Sequence, residues 1–88
     1  MVVLAARAGL GTINHTALSL RELRRRRLPV AAVVLSQTPS GDDEAQPLNR
    51  DELQRRFPSV PVVGPVPWTP DAGLRRRRLR AVLRPALR

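Results

Sequence analysis

VVLAARAGLGTINHTALSLRELRRRRLPVAAVVL, residues 2 to 35, holds two apolar runs separated by a glycine-containing loop and one helical period. The first run, VVLAA at 2 to 6, is continuous rather than alternating, the pattern of a strand buried on both faces of a parallel sheet. Ile13, Ala17 and Leu20 then fall at i, i+4 and i+7, with Leu23 one turn further, which makes a helical stripe. Arg24 to Arg27 close that helix at its carbonyl end, where the dipole favours cations. Leu28 and Pro29 stop it, because the residue before a proline avoids the helical region. VAAVVL at 30 to 35 is a second buried strand, so the whole stretch reads as one strand–helix–strand crossover unit.

Outward from this unit the chain repeats the alternation. The loop SQTPSGDDEAQPL, 36 to 48, is polar and long for a strand-to-helix connection, and loops of that kind tend to be functional. Asn49, with Glu52 three residues later, resembles a capping box and predicts a short helix from Asn49 to near Phe57-Pro58. VPVVG at 60 to 64 predicts a third strand with Pro61 near its beginning. Thr69, Pro70 and Asp71 suit N-cap, first-turn and dipole-facing positions of a last helix over about 70 to 84. The predicted order is β-α-β-α-β-α, an α/β fold with a mainly parallel sheet. Ligands of such sheets bind at the strand carboxyl ends, where the loops 7 to 12, 36 to 48 and 65 to 69 gather.

Composition narrows the function classes. A chain of 88 residues makes one small domain that buries little more than half of its unfolded surface. It has no cysteine, which excludes disulfides and thiolate metal sites and fits a reducing, cytoplasmic setting. Its apolar runs fall far short of the roughly 20 residues of a membrane span, so no membrane role is expected. Met1 leads straight into a strand, which suggests the later part of something larger. All 16 basic residues are Arg. Without lysine, the chain supplies no phosphate-binding P-loop lysine. The net charge of +9 is concentrated in Arg24 to Arg27 and Arg75 to Arg78. Such runs suit nucleic-acid phosphates or a solvated helix face, and the interleaved aromatics of a stacking platform are missing.

Several residues are candidates for contact with a ligand. The loop 7 to 12 leads into a helix N-terminus, which attracts carboxylate or phosphate, and Gly9 and Gly11 allow a ligand near the backbone. The same residues also fit an ordinary turn capped by Thr12 or Asn14. His15, the single histidine, has no triad partner at a suggestive spacing, and a structural role is expected. Asp42, Asp43 and Glu44 are consecutive, as in a solvated acidic turn or a cation loop. Trp68, stiffened by the prolines before it, suits either core packing or the flank of a flat ligand. Ser36 and Gln37 end the second strand as ligand contacts or turn caps. No catalytic residue and no metal ligand stands out.

GLGTINHTALSL also resembles the segment G-T/C-I-N-H-[AT]-L-L-T that follows a buried strand in the ATP-dependent dethiobiotin synthetases, ligases of biotin biosynthesis. LPVAAVVLSQ looks like that family's next strand, and VPVVGPVPW is similar to its strand with the G-x-[IV]-P-W ending. The likeness covers residues 2 to 69. It implies a partial P-loop-type three-layer fold whose N-terminal P-loop half is absent. Residues 1 to 88 would then form a single partial domain, the C-terminal half of the family's domain, with an arginine-rich C-terminal helix at 70 to 88.

The family carboxylates an amino group of 7,8-diaminopelargonate with CO2, phosphorylates the carbamate from ATP with Mg²⁺ and closes a ureido ring, as a homodimer. The resemblance gives Gly11, Thr12, Ile13 and Asn14 to the substrate carboxylate, and Ser36, Gln37, Val66, Pro67 and Trp68 to the adenine. Ser36 stands where the family usually carries Asn, and a hydroxyl offers a base edge less than an amide does. The P-loop, the catalytic lysines and the Mg²⁺-binding acids lie outside the matching part. The expected function is therefore a portion of the ligase, inactive alone, working as a homodimer or paired with a missing P-loop half. The alternative is a non-enzymatic, arginine-rich nucleic-acid-binding module.

Overall fold

The computed structural model describes residues 1–9, 11–38 and 46–87, and the acidic triplet Asp42, Asp43 and Glu44 lies outside them. Six elements follow the predicted alternation: β1 (Val2–Arg7), α1 (Thr12–Arg25), β2 (Val30–Ser36), α2 (Gln46–Arg56), β3 (Val62–Val66) and α3 (Ala72–Ala86). The strands form one sheet in the order β1-β2-β3, and both pairings are parallel. This is the β-α-β-α-β-α arrangement of an α/β fold and is consistent with part of a P-loop-type fold.

The central strand explains the layering. Ala32, Val33, Val34 and Leu35 are all buried, because β2 has a strand on each side and covered faces above and below. Val33 and Leu35 enter a cluster with Ala8, Leu20 of α1, Leu53 of α2 and Val62 of β3. Strand alternation turns Ala32 and Val34 to the opposite face. There α3 lies against β2 and β3. That helix buries no residue completely, so its hold on the sheet is light.

Burial of β1 on both faces is not found. The strand alternates, with Val3, Ala5 and Arg7 exposed and Val2, Leu4 and Ala6 half-buried. Leu4 and Ala6 pack on the α1/α2 core, whereas no described element covers β1 on the other face.

Three expected boundaries also shift. The helix α2 starts at Gln46, so Asn49 lies inside it and is no cap. The strand β3 runs Val62–Val66, with Pro61 before it and the cis Gly64–Pro65 peptide inside it. A strand proline is tolerated here because β3 is an edge. In α3 the N-cap is Asp71, whose carboxylate accepts from the Leu74 N–H at 3.0 Å. Thr69 instead accepts from the Asp71 N–H at 3.3 Å. The capping role moves two residues along because the Asp71 carboxylate reaches the N–H of Leu74, the third residue of the helix.

Candidate functional site

The described parts of the loops at the strand carboxyl ends are held by identifiable hydrogen bonds. Beyond β1 the ladder continues for one bond, from the Ala8 N–H to the Ser36 carbonyl at 2.8 Å. The carbonyls of Ala8 and Gly9 then accept from the Asn49 side-chain amide at 3.1 and 3.0 Å. Asn49 is buried, so these bonds form away from competing water and fix the turn before α1. This is the role that the capping-box reading missed, since its partners lie about forty positions away in the chain.

The helix α1 begins at Gly11, which adopts a left-handed backbone (φ 88°) and is followed by Thr12 in the first turn. No side chain caps this end, so neither Thr12 nor Asn14 has the cap role open to it in the sequence. The four residues matched to the substrate carboxylate divide. Gly11 and Asn14 are exposed, Thr12 is buried with its hydroxyl 3.3 Å from that of Thr16, and Ile13 packs on the core. A ligand at this helix start therefore meets Gly11 and the Asn14 side chain, while the Thr12 and His15 N–H groups already donate to the Gly9 and Gly11 carbonyls at 3.3 and 3.2 Å. His15 is exposed next to them and lines, with Thr12, Thr16, Ser19 and residues 4 to 7 of β1, a groove of about 220 Å³ whose walls are as much apolar as polar.

The second group lies one strand over. Ser36 pairs with Val66 in the β2–β3 register, and the Gln37 N–H donates to the Val66 carbonyl at 2.9 Å. Pro67 and Trp68 follow at once and are exposed, Trp68 by 41 %. Of the two roles open to Trp68, core packing is thus not the one it takes. Its carbonyl neighbour Pro67 accepts from Arg78 of α3 at 3.3 Å, which ties the loop to the last helix.

Gly64 makes this juxtaposition possible. Between Val34↔Val63 and Ser36↔Val66 the strand β3 spends one residue more than β2, so the ladder is irregular there. Gly64 has φ 104°, and a Cβ on it would lie 2.5 Å from the Leu35 carbonyl oxygen. Only glycine lets the two backbones approach so closely. The strand is held from its other end by Gln54 of α2, whose side chain accepts from the Val62 N–H at 2.9 Å and donates to the carbonyls of Phe57 and Val60 at 3.2 and 3.0 Å.

These residues fit the edge and face of a planar base: a hydroxyl, a side-chain amide, and an exposed indole beside a proline. They do not fit a divalent cation. Among the described residues no group of three His, Cys, Asp or Glu side chains converges.

A sequence model described as an AAA domain matches residues 1–75, most of the chain. The chain belongs to the AAA domain family. Within it, the chain is similar to an ATP-dependent dethiobiotin synthetase of Anaeromyxobacter dehalogenans (strain 2CP-C), 48% identical over 82 residues, or 93% of this chain and 36% of that protein. The dethiobiotin synthetase of Halalkalibacterium halodurans is 33% identical over 69 residues, covering 78% of this chain and 28% of that one. A biotin biosynthesis bifunctional protein of Bordetella avium (strain 197N) is 52% identical over 66 residues, 75% of this chain and 13% of the relative. This AAA-domain chain thus spans about a third of the length of the dethiobiotin synthetases it matches first, 36% in the leading case. No solved structure matches it.

Proposed function

We propose that the chain is the part of a dethiobiotin synthetase that receives the nucleotide base and the substrate carboxylate, acting in the cytoplasm with a P-loop half supplied by another segment or chain. The observation that supports this reading best is the Ser36↔Val66 pairing. It brings Ser36 and Gln37 beside Pro67 and Trp68 at the same sheet edge as the start of α1.

The residues present do three things in this reading. Ser36 and Gln37 hydrogen-bond the base edge while Pro67 and Trp68 shield its face from water. The first turn of α1, with Gly11 and Asn14, binds the carboxylate of 7,8-diaminopelargonate through backbone N–H groups and the helix dipole. In the homodimer that the resemblance implies, this helix start serves the site of a partner subunit. ATP, when bound, supplies the phosphoryl group that activates the carbamate. The charge stabilisation such transfer needs comes from lysine and Mg²⁺-binding acids outside this chain, so the chain alone turns nothing over.

A complementation assay tests the reading. Mixed with a P-loop-containing segment of the Anaeromyxobacter relative, the chain should restore formation of dethiobiotin from 7,8-diaminopelargonate, CO2 and ATP. Trp68→Ala should raise the KM for ATP, and Asn14→Ala the KM for 7,8-diaminopelargonate. Equal turnover with and without the chain would refute the proposal. The nucleic-acid reading retains one observation: Arg75, Arg76, Arg77, Arg80 and Arg84 of α3 are exposed and form no ion pair among the described residues. It requires DNA binding that falls steeply with salt.

A further inference from the structure

The opposite end of the sheet, where the strands begin, carries a second concavity of about 390 Å³. Its walls are apolar: Leu20 of α1, Leu28, Pro29, Val30 at the start of β2, and Phe57 and Val60 from the connection into β3. Leu28 remains 45 % exposed there, so the apolar surface is open to solvent. Arg21, Arg24 and Arg27 complete the lining.

The arginine run is divided by its partners. Glu22 takes Arg25 and Arg26, at 2.7 Å each, on one side of α1. Among the described residues no carboxylate lies within ion-pair distance of Arg21, Arg24 or Arg27. Arg27 is also conformationally marked. The Leu28 N–H donates to the Leu23 carbonyl and the Arg27 N–H to the Arg24 carbonyl, both at 2.9 Å, which is the hydrogen-bond pattern of a Schellman helix end. The residue at its left-handed position is usually glycine, yet here it is Arg27, with φ 58°. A strained, charged residue at the mouth of an apolar pocket is a functional signature when geometry supports it.

We infer that this pocket binds a small amphipathic anion, an apolar chain inserted between Leu20, Phe57 and Val60 with a carboxylate or phosphate head held by Arg21, Arg24 and Arg27. Its volume lies in the range of small-molecule sites, roughly 300–1,000 Å³. A fork of guanidinium donors is the arrangement that recognises such heads. The site faces away from the base and substrate edge and is independent of the function proposed above.

The test uses the full 88-residue chain. Hexanoate, octanoate, decanoate, octyl phosphate and octylammonium are titrated below their micelle concentrations and followed by ¹H–¹⁵N chemical shifts. The anions should move Leu20, Leu28, Phe57 and Val60, and affinity should rise about fourfold per added methylene. The tighter of octanoate and octyl phosphate identifies the head group, and octylammonium should not bind. The exposed double variant Arg24→Gln/Arg27→Gln should lose tenfold or more with an unchanged spectrum elsewhere. Arg76→Gln/Arg77→Gln on α3 should lose nothing. Arg27→Gly separates the two roles of that residue: it should weaken binding and raise the melting temperature by relieving the left-handed strain. Absence of shifts, equal binding of octylammonium and octanoate, or shifts confined to α3 would each overturn the inference.

Discussion

Gly64 illustrates what a single residue decides in this molecule. Its backbone passes so close to the Leu35 carbonyl that any side chain collides, and its φ of 104° is strained for every other residue. Gly64→Ala should therefore cost about 2–4 kcal/mol, the sum of an overpacked contact and a strained backbone. In a domain whose whole stability is about 5–15 kcal/mol, that is a large share. Chemical denaturation of the variant measures it, and a change below about 0.5 kcal/mol would contradict the close approach. Gly64 was read as the last residue of the third strand, whereas it lies in the middle of Val62–Val66. Asn49 was misread for another reason. A capping box is a local pattern, and the carbonyls that Asn49 serves belong to a loop far away in sequence. Gly11 stood out in the sequence only as a place where a ligand could approach the backbone; its left-handed position before α1 was not anticipated, because the cap was sought in the side chains of Thr12 and Asn14.

Elements were legible where periodicity was strong. The strands β1 and β2 and the stripe of α1 were placed to within a residue or two, because continuous β-branched runs and i, i+4, i+7 spacing are short-range signals. Burial of β1 was not legible, since it depends on which helices arrive over it. The helix α2 has almost no apolar periodicity; Leu53 and Asn49 anchor it inside, and Glu52 organises its surface. Glu52 bonds Arg55 at 2.6 Å and Arg56 at 2.8 Å. Hydrogen bonds from those two guanidinium groups bring its carboxyl down from the usual range to about 2. A carboxyl whose folded pKa is depressed adds stability above its unfolded pKa and loses it as pH falls toward the folded value. Between about pH 4.5 and 2 the melting temperature should thus fall more steeply for the native chain than for Glu52→Gln. The variant should be the less stable of the two at pH 7, and the curves should converge near pH 2. Parallel curves across that window would remove Glu52 from the account.

On the scale of the whole molecule, the sheet is small and open. The strand β1 pairs with β2 on one side only, and among the described residues no strand occupies its other edge. Val3 shares the face of Ala32, its partner in β2, but α3 lies against β2 and β3 there and leaves Val3 43 % exposed. An unpaired edge beside exposed apolar residues invites association with further strands. The isolated chain should associate with rising concentration, and Val3→Lys should suppress that by placing a charge beside the edge. Sedimentation at increasing concentration checks this; a monomer with a sharp cooperative melt at every concentration would contradict it. The three-strand, three-helix architecture was legible from alternation of element types. The open β1 edge was not, because strand order is set by long-range pairing, and among the described residues no second strand pairs with β1.

Two neighbouring groups of residues at the strand carboxyl ends, Ser36, Gln37, Val66 to Trp68 and Gly11 to Asn14, are proposed here to receive a nucleotide base and a substrate carboxylate. Residue-resolved titration of the ¹⁵N-labelled chain tests this central claim most directly. ATP should shift Ser36, Gln37, Val66 and the Trp68 indole, and 7,8-diaminopelargonate should shift Gly11 through Asn14, with each set moving independently of the other. If a folded chain leaves both sets unmoved at saturating ligand, or if ATP moves only the arginines of α3, the claim fails.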